Sequence, residues 1–292
     1  MKLTDLRKYN LDLILPVSLV ILAELLIFFD QLKAGIIVHA LNLTLLILSS
    51  IYVENRLYSA LMLLPLFRLL NVAMPVFFKL TLYSYPLTYA PMFLPILLIM
   101  KEGILNRSEA GITLRGFWLY LPLAMAAGLA LGWGEYQVLH PGMIIPSPNL
   151  ENLLVLSLIM ILFVGVVEEF VFRSALQTMM EERLGAAAGI LSTSLLFGFM
   201  HSGYHLPLEV IFVSLAGVVF GLLFWATRSL PIVALAHGVT NVSLFAVVPN
   251  YPTATFYLLG ISALWFLAVA FLSRKIDKKS LKQYQEKLQA KE

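Results

Sequence analysis

The chain has 292 residues, of which 60% are hydrophobic and only 13% charged, and its mean hydropathy is +0.87. Soluble domains carry about twice that share of charge, so the expected fold is all-α, a polytopic bundle of transmembrane helices. The absence of cysteine excludes a disulfide framework, a thiolate nucleophile and a thiolate metal site; the net charge of +3 comes largely from the tail after Ser273 and says little about a substrate.

A hydrocarbon core takes about 20 apolar residues per crossing helix. By that measure about ten spans follow one another, near residues 11–29, 34–53, 57–78, 83–100, 117–133, 152–172, 184–200, 207–226, 230–248 and 255–272. The first has no small-residue cleavage site soon after it and reads as a retained helix. The third and fourth are interrupted by Pro65, Pro75, Pro86, Pro91 and Pro95, which lipid tolerates only where neighbouring helices satisfy the freed carbonyls. With Lys2, Arg7 and Lys8 in the cytoplasm, alternate loops should hold the basic residues. Arg56, then Lys101, Arg107 and Arg115, then Arg183, Arg228 and the tail from Arg274 fall on that side, against Lys33 and Lys79 on the other. Both termini are therefore expected to be cytoplasmic. The chain divides into a variable membrane region (1–150), a core that holds the polar motifs (151–250) and a last helix with a basic tail (251–292).

Three polar islands break the apolar second half. The first is Glu168 and Glu169, with Arg173 four residues on. Ionised groups inside a span are costly and usually functional. Residues i and i+4 share a helix face, so Glu169 can pair with Arg173 while Glu168, rotated by about 100°, faces a cavity. The second island runs from Phe197 to His201, and the third from His237 to Asn241. A cavity that held Glu168, His201, His237 and Asn241 would contain a general base, a second base or orienting group, and donors for a developing oxyanion. That set suffices to add water to a carbonyl. Ser174, Ser192 and Ser202 do not lie in a Gly-x-Ser-x-Gly elbow, and no His-Glu-x-x-His occurs.

These islands resemble the Glu-Glu-x-x-x-Arg, Phe-x-x-x-His and His-x-x-x-Asn motifs of the CPBP family of CAAX prenyl endopeptidases and bacteriocin-processing or self-immunity proteins, in the same order. The resemblance implies an intramembrane, glutamate-dependent endopeptidase acting near a membrane-associated, in some relatives prenylated, protein or peptide. It implies that Glu168 activates water with help from His201, that His237 and Asn241 form the oxyanion site, and that Glu169 and Arg173 brace it, with Glu169 able to share the acid–base role. No cofactor or metal is expected; a zinc ion on His201, His237 and one glutamate is the alternative. The expected surroundings are a lipid bilayer in a prokaryotic cytoplasmic membrane, with no nucleic-acid partner. A proton-coupled transporter and a non-catalytic immunity or scaffold relative are the competing functions.

One geometric difficulty stands. With spans at 152–172 and 184–200, Glu168 lies near the cytoplasmic end and His201 at the far end of a helix about 25 Å long. The site closes only if Glu168 lies deeper or the seventh helix starts further into the cytosol; a sixth helix that continues through Arg173 to Arg183 permits both. Among the other polar residues, Glu24 and Arg68 are expected to pair, His39 and His140 to be structural or solvent-facing, His205 to be a loop residue, and Gly217 and Gly221 to serve close packing within the bundle.

Overall fold

A computed structural model describes residues 11–77 and 81–268. Within them the chain is helical and has no strand. Helices α1 (Leu11–Phe28), α2 (Leu32–Tyr52) and α3 (Arg56–Phe77) pack successively. The stretch that follows is broken at its prolines into α4 (Ser84–Tyr89), a tight turn at Ala90–Met92, and α5 (Phe93–Lys101). Pro65, by contrast, sits buried within a continuous α3. Then come α6 (Phe117–Leu139), α7 (Leu150–Leu184), α8 (Ala186–Phe199), α9 (Pro207–Thr227), α10 (Leu230–Asn250) and α11 (Pro252–Ala268). Six helices among the described residues, α2, α3, α6, α7, α9 and α10, are long and apolar enough to cross a membrane. Lys2, Arg7, Lys8, Lys79 and the tail from Arg274 lie outside the described residues.

Helix α7 differs most from the expected span. It does not stop at Phe172 but runs for 35 residues, about 52 Å. Asn149 caps its start by accepting the Asn152 N–H at 2.8 Å. Gly185, at φ +83°, turns the chain directly into α8. An apolar count ends at Arg173, yet Arg173 and Gln177 are both fully buried, and the Gln177 amide donates to Glu181 Oε1 and to the Gly221 carbonyl of α9. Arg173 has its ion pair with Glu169 and the Gln177 amide its two acceptors, so the helix continues. Glu168 lies sixteen residues before Leu184, and His201 fifteen after Ala186. Up the two arms of this hairpin that is about 24 Å and about 22 Å, which brings both side chains to one level and removes the difficulty raised by the shorter span.

Helix α10 is the most buried of the six apolar helices and packs against α6 and α7 at backbone distance. A Cβ at Gly132 of α6 would lie 2.4 Å from the Thr240 carbonyl oxygen, and one at Gly238 of α10 would lie 2.7 Å from Ile161 Cα. Gly217 and Gly221 serve the same purpose on α9, against Ser194 of α8 and against Gln177 and Ile190.

A second polar knot ties the N-terminal helices to the rest. Glu24 takes a bidentate contact from Arg68 (2.8 and 2.7 Å) and also meets His39 at 3.0 Å and the Ser202 hydroxyl at 2.5 Å. Arg68 also donates to the Met200 carbonyl. His205 meets the Phe28 carbonyl at 2.9 Å in the loop after α8, and His140 is exposed. At the other end of the bundle the basic residues gather. Arg56 pairs with Glu109, Arg183 with Asp12, and Arg228 with Glu181.

The close approach of α6 and α10 gives a direct test. Gly132→Val should lower the stability of the purified protein in detergent by about 1–3 kcal/mol, read from thermal unfolding. Gly142→Ala, where a Cβ meets nothing within 4 Å, should leave it unchanged.

Candidate active site

Glu168 and Glu169 stand in a short α-helical stretch, Val166–Glu169, between two π-helical stretches, Met160–Gly165 and Phe170–Gln177. A π turn widens the helix and re-aims the side chains around it, and such turns occur often at functional sites. Here the two acids part. Glu169 is fully buried; its Oε2 lies 3.1 Å from Arg173 Nε and its Oε1 2.7 Å from His237 Nδ1. The Arg173 guanidinium is otherwise walled by ring faces, 4.8 Å from the Phe197 centroid and 5.9 Å from those of Phe172 and Phe220. Charge and aromatic quadrupole attract strongly when water is excluded, and the ion pair keeps each charge from being buried alone.

Glu168 faces a cavity of about 210 Å³, lined also by Tyr89, His201, Arg68, Asn71 and Tyr204. Its Oε1 accepts the Tyr89 phenol at 2.6 Å, and its Oε2 lies 3.8 Å from His237 Nε2. His201 Nδ1 is 2.9 Å from the Phe197 carbonyl. A carbonyl only accepts, so Nδ1 carries a proton, and a neutral ring then has its lone pair on Nε2. Phe197 lies edge-on to both imidazoles, with centroids 5.0 Å from His201 and 5.8 Å from His237, and the His237 ring stacks on Phe220 at 5.2 Å. Aromatic packing thus fixes both rings.

Of the residues expected from sequence, Glu168, Glu169, Arg173 and His237 are drawn into one contact network, and His201 shares the cavity with Glu168. Asn241 is half-buried on α10, and its side chain forms no hydrogen bond among the described residues. No three His, Asp or Glu side chains among the described residues are gathered as a metal-ligand set. Each histidine commits its Nδ1, His201 to the Phe197 carbonyl and His237 to Glu169, and keeps Nε2 open.

Sequence reasoning missed Tyr89. Its bond to Glu168 spans 79 residues, and a tyrosine in a proline-broken apolar stretch carries no local signal. It also passed over Glu135 of α6 and Glu209 of α9, both buried acids. Both lie near helix ends, where an acid reads as solvent-facing.

Residues 150–243 match a family model described as type II CAAX prenyl endopeptidase Rce1-like. No curated protein matches the chain, and no solved structure does.

The division between the two acids is measurable without substrate. Glu169→Ala strands a buried guanidinium and should cost about 3–5 kcal/mol in detergent unfolding. Glu168→Gln, which keeps an acceptor for Tyr89, should cost under about 1 kcal/mol.

Proposed function

We propose that this chain, whose residues 150–243 match the Rce1-like model of type II CAAX prenyl endopeptidases and lie in an integral membrane protein, hydrolyses a peptide bond of a membrane-associated, prenylated substrate with Glu168 as its base. The observation that carries the reading is that Glu169 is closed off by Arg173 and His237, whereas Glu168 turns to a cavity shared with His201.

Water between Glu168 and His201 gives a proton to the carboxylate as its oxygen bonds to the scissile carbonyl carbon. Tyr89, through its 2.6 Å bond, holds the carboxylate in one rotamer and is a positioning residue. The carbonyl oxygen becomes an oxyanion. His237 enters the step as an imidazolium, with Nδ1–H on Glu169 and Nε2–H on the side of Glu168; once Glu168 has taken the water proton and is neutral, the Nε2–H donates to the oxyanion, whose charge replaces that of the Glu168 carboxylate opposite the imidazolium. Asn241, one turn further along α10, supplies a second donor when substrate is bound. Collapse of the intermediate breaks the C–N bond, and the proton held by Glu168 passes to the leaving amine. No step needs a metal.

The same proposal includes ten spans, both termini in the cytoplasm, and a prokaryotic cytoplasmic membrane. The end of the bundle where Arg56, Arg107, Arg115, Arg183 and Arg228 collect is then the cytoplasmic one, as the positive-inside rule requires.

A cleavage assay against prenylated and unprenylated peptides tests the assignment. Glu168→Gln and His201→Ala should each lower turnover by roughly 10²–10⁴-fold with unfolding temperatures near that of the parent, and chelators should leave turnover unchanged. Folded variants that still cleave, or activity lost to chelator and restored by zinc, would refute the mechanism. Tyr89→Phe should lower kcat by about tenfold or more, the loss of one hydrogen bond to a charged group, with KM unchanged.

A further inference from the structure

A second cavity lies away from Glu168, at the end of the bundle where the arginines gather. It encloses about 720 Å³ between the loop before α6 and the C-terminus of α9, and Arg107, Arg115 and Arg228 line it together with Ser108, Thr113 and Thr227. Arg228 is held by Glu181 and stacks on Phe224 at 5.6 Å. Arg107 and Arg115 have no acidic partner among the described residues. The nearby acid, Glu109, is already taken by Arg56 at 2.8 Å and by the Asn106 N–H at 2.9 Å.

The walls are built rather than loose. The Leu230 N–H donates to the Gly111 carbonyl at 2.8 Å, the Ser229 hydroxyl to the Thr113 carbonyl at 3.0 Å, and the Ser174 hydroxyl to the Ala110 carbonyl at 2.7 Å. Gly111, at φ +67°, lets the loop lie against Arg228, where a Cβ would meet the Arg228 carbonyl oxygen at 2.9 Å. The positive end of the α6 dipole adds to the field, since Gly116 lines the same cavity.

The surroundings are amphiphilic. Ile112 and Leu114, on the same loop, are exposed by 46% and 69%. Trp118, 73% exposed, and Trp225, 50% exposed, stand at the adjoining helix ends, the level at which indole rings mark the membrane–water interface. Three guanidinium groups with hydroxyls suit a phosphate, and a cavity of this size with an apolar rim suits a phosphate that carries acyl chains. We infer that Arg107, Arg115 and Arg228 bind the phosphate headgroup of an anionic phospholipid.

The experiment titrates the full chain, purified in detergent, with phosphatidylglycerol, phosphatidylcholine or inorganic phosphate and follows the unfolding temperature. Phosphatidylglycerol should stabilise the protein at concentrations where phosphatidylcholine does not. In an Arg107→Ala, Arg115→Ala double variant the apparent affinity should fall roughly thirtyfold, from two arginines near the headgroups, and the paired lysine variant should recover part of it. An unchanged unfolding temperature of the double variant in phosphatidylcholine shows that it is folded. Equal responses to both lipids, or a double variant that responds like the parent, would overturn the inference. A response to inorganic phosphate with no further gain from phosphatidylglycerol would make free phosphate the ligand and overturn the lipid assignment.

Discussion

A guanidinium held entirely out of water has to be matched by groups within a few ångströms, and Arg173 sets that condition for helices α7 to α10. Its match is Glu169 on the preceding turn, and Glu169 in turn engages His237 of α10. Three ring faces close around the cation. Moving any of α7, α8, α9 or α10 by a fraction of a helix turn would uncover a charge, which costs several kcal/mol where no water can compensate. The ion pair therefore acts as a register mark. It fixes which residues of α8 and α10 stand opposite Glu168, and so which groups share its cavity.

The unequal treatment of two neighbouring carboxylates follows from that register. Glu169 spends both oxygens on the brace. Glu168, one residue earlier and flanked by wide turns, is left with a phenol on one oxygen and open cavity near the other. A regular helix already separates adjacent side chains by about 100°. The π stretches on either side let α7 present Glu168 to one neighbour and Arg173 to another without a break in the helix. Close backbone contacts do the rest, because Gly238, next to His237, allows α10 to approach Ile161 on α7.

Much of this was legible in the sequence, for a physical reason. In a chain so poor in charge, polar residues inside apolar runs stand out, so Glu168, Glu169, Arg173, His201 and His237 were legible, as was the pairing of Glu24 with Arg68, whereas Glu135 and Glu209 near helix ends were not. The length of α7 was not legible. Hydropathy counts treat Arg173 as an end, whereas in the fold it is buried against the Glu169 carboxylate and three aromatic rings and the helix runs on. Tyr89 was invisible for the opposite reason. It is amphipathic and common in apolar spans, and only the fold reveals that its hydroxyl meets a carboxylate 79 residues away. Asn241 shows the limit of periodicity. Spacing puts it on the His237 face of α10, but a shared face does not supply a partner, and none of the described residues bonds to it.

The N-terminal helices take on a different meaning once these contacts are counted. The matched segment ends at residue 243 and starts only at 150, yet the cavity beside Glu168 is walled in part by Phe67, Arg68, Asn71 and Tyr89. Glu24, through Ser202 and through Arg68 to Met200, clamps the two residues on either side of His201. The last turn of α8 leaves its carbonyls without partners along the helix, as every helix end does, and here an arginine from another part of the chain takes the Met200 carbonyl. The position of His201 is thus set from outside the matched segment. On the proposed assignment residues 150–243 carry the reacting groups, while the placement of His201, and the Tyr89 hydroxyl on Glu168, depend on a region that the match does not reach.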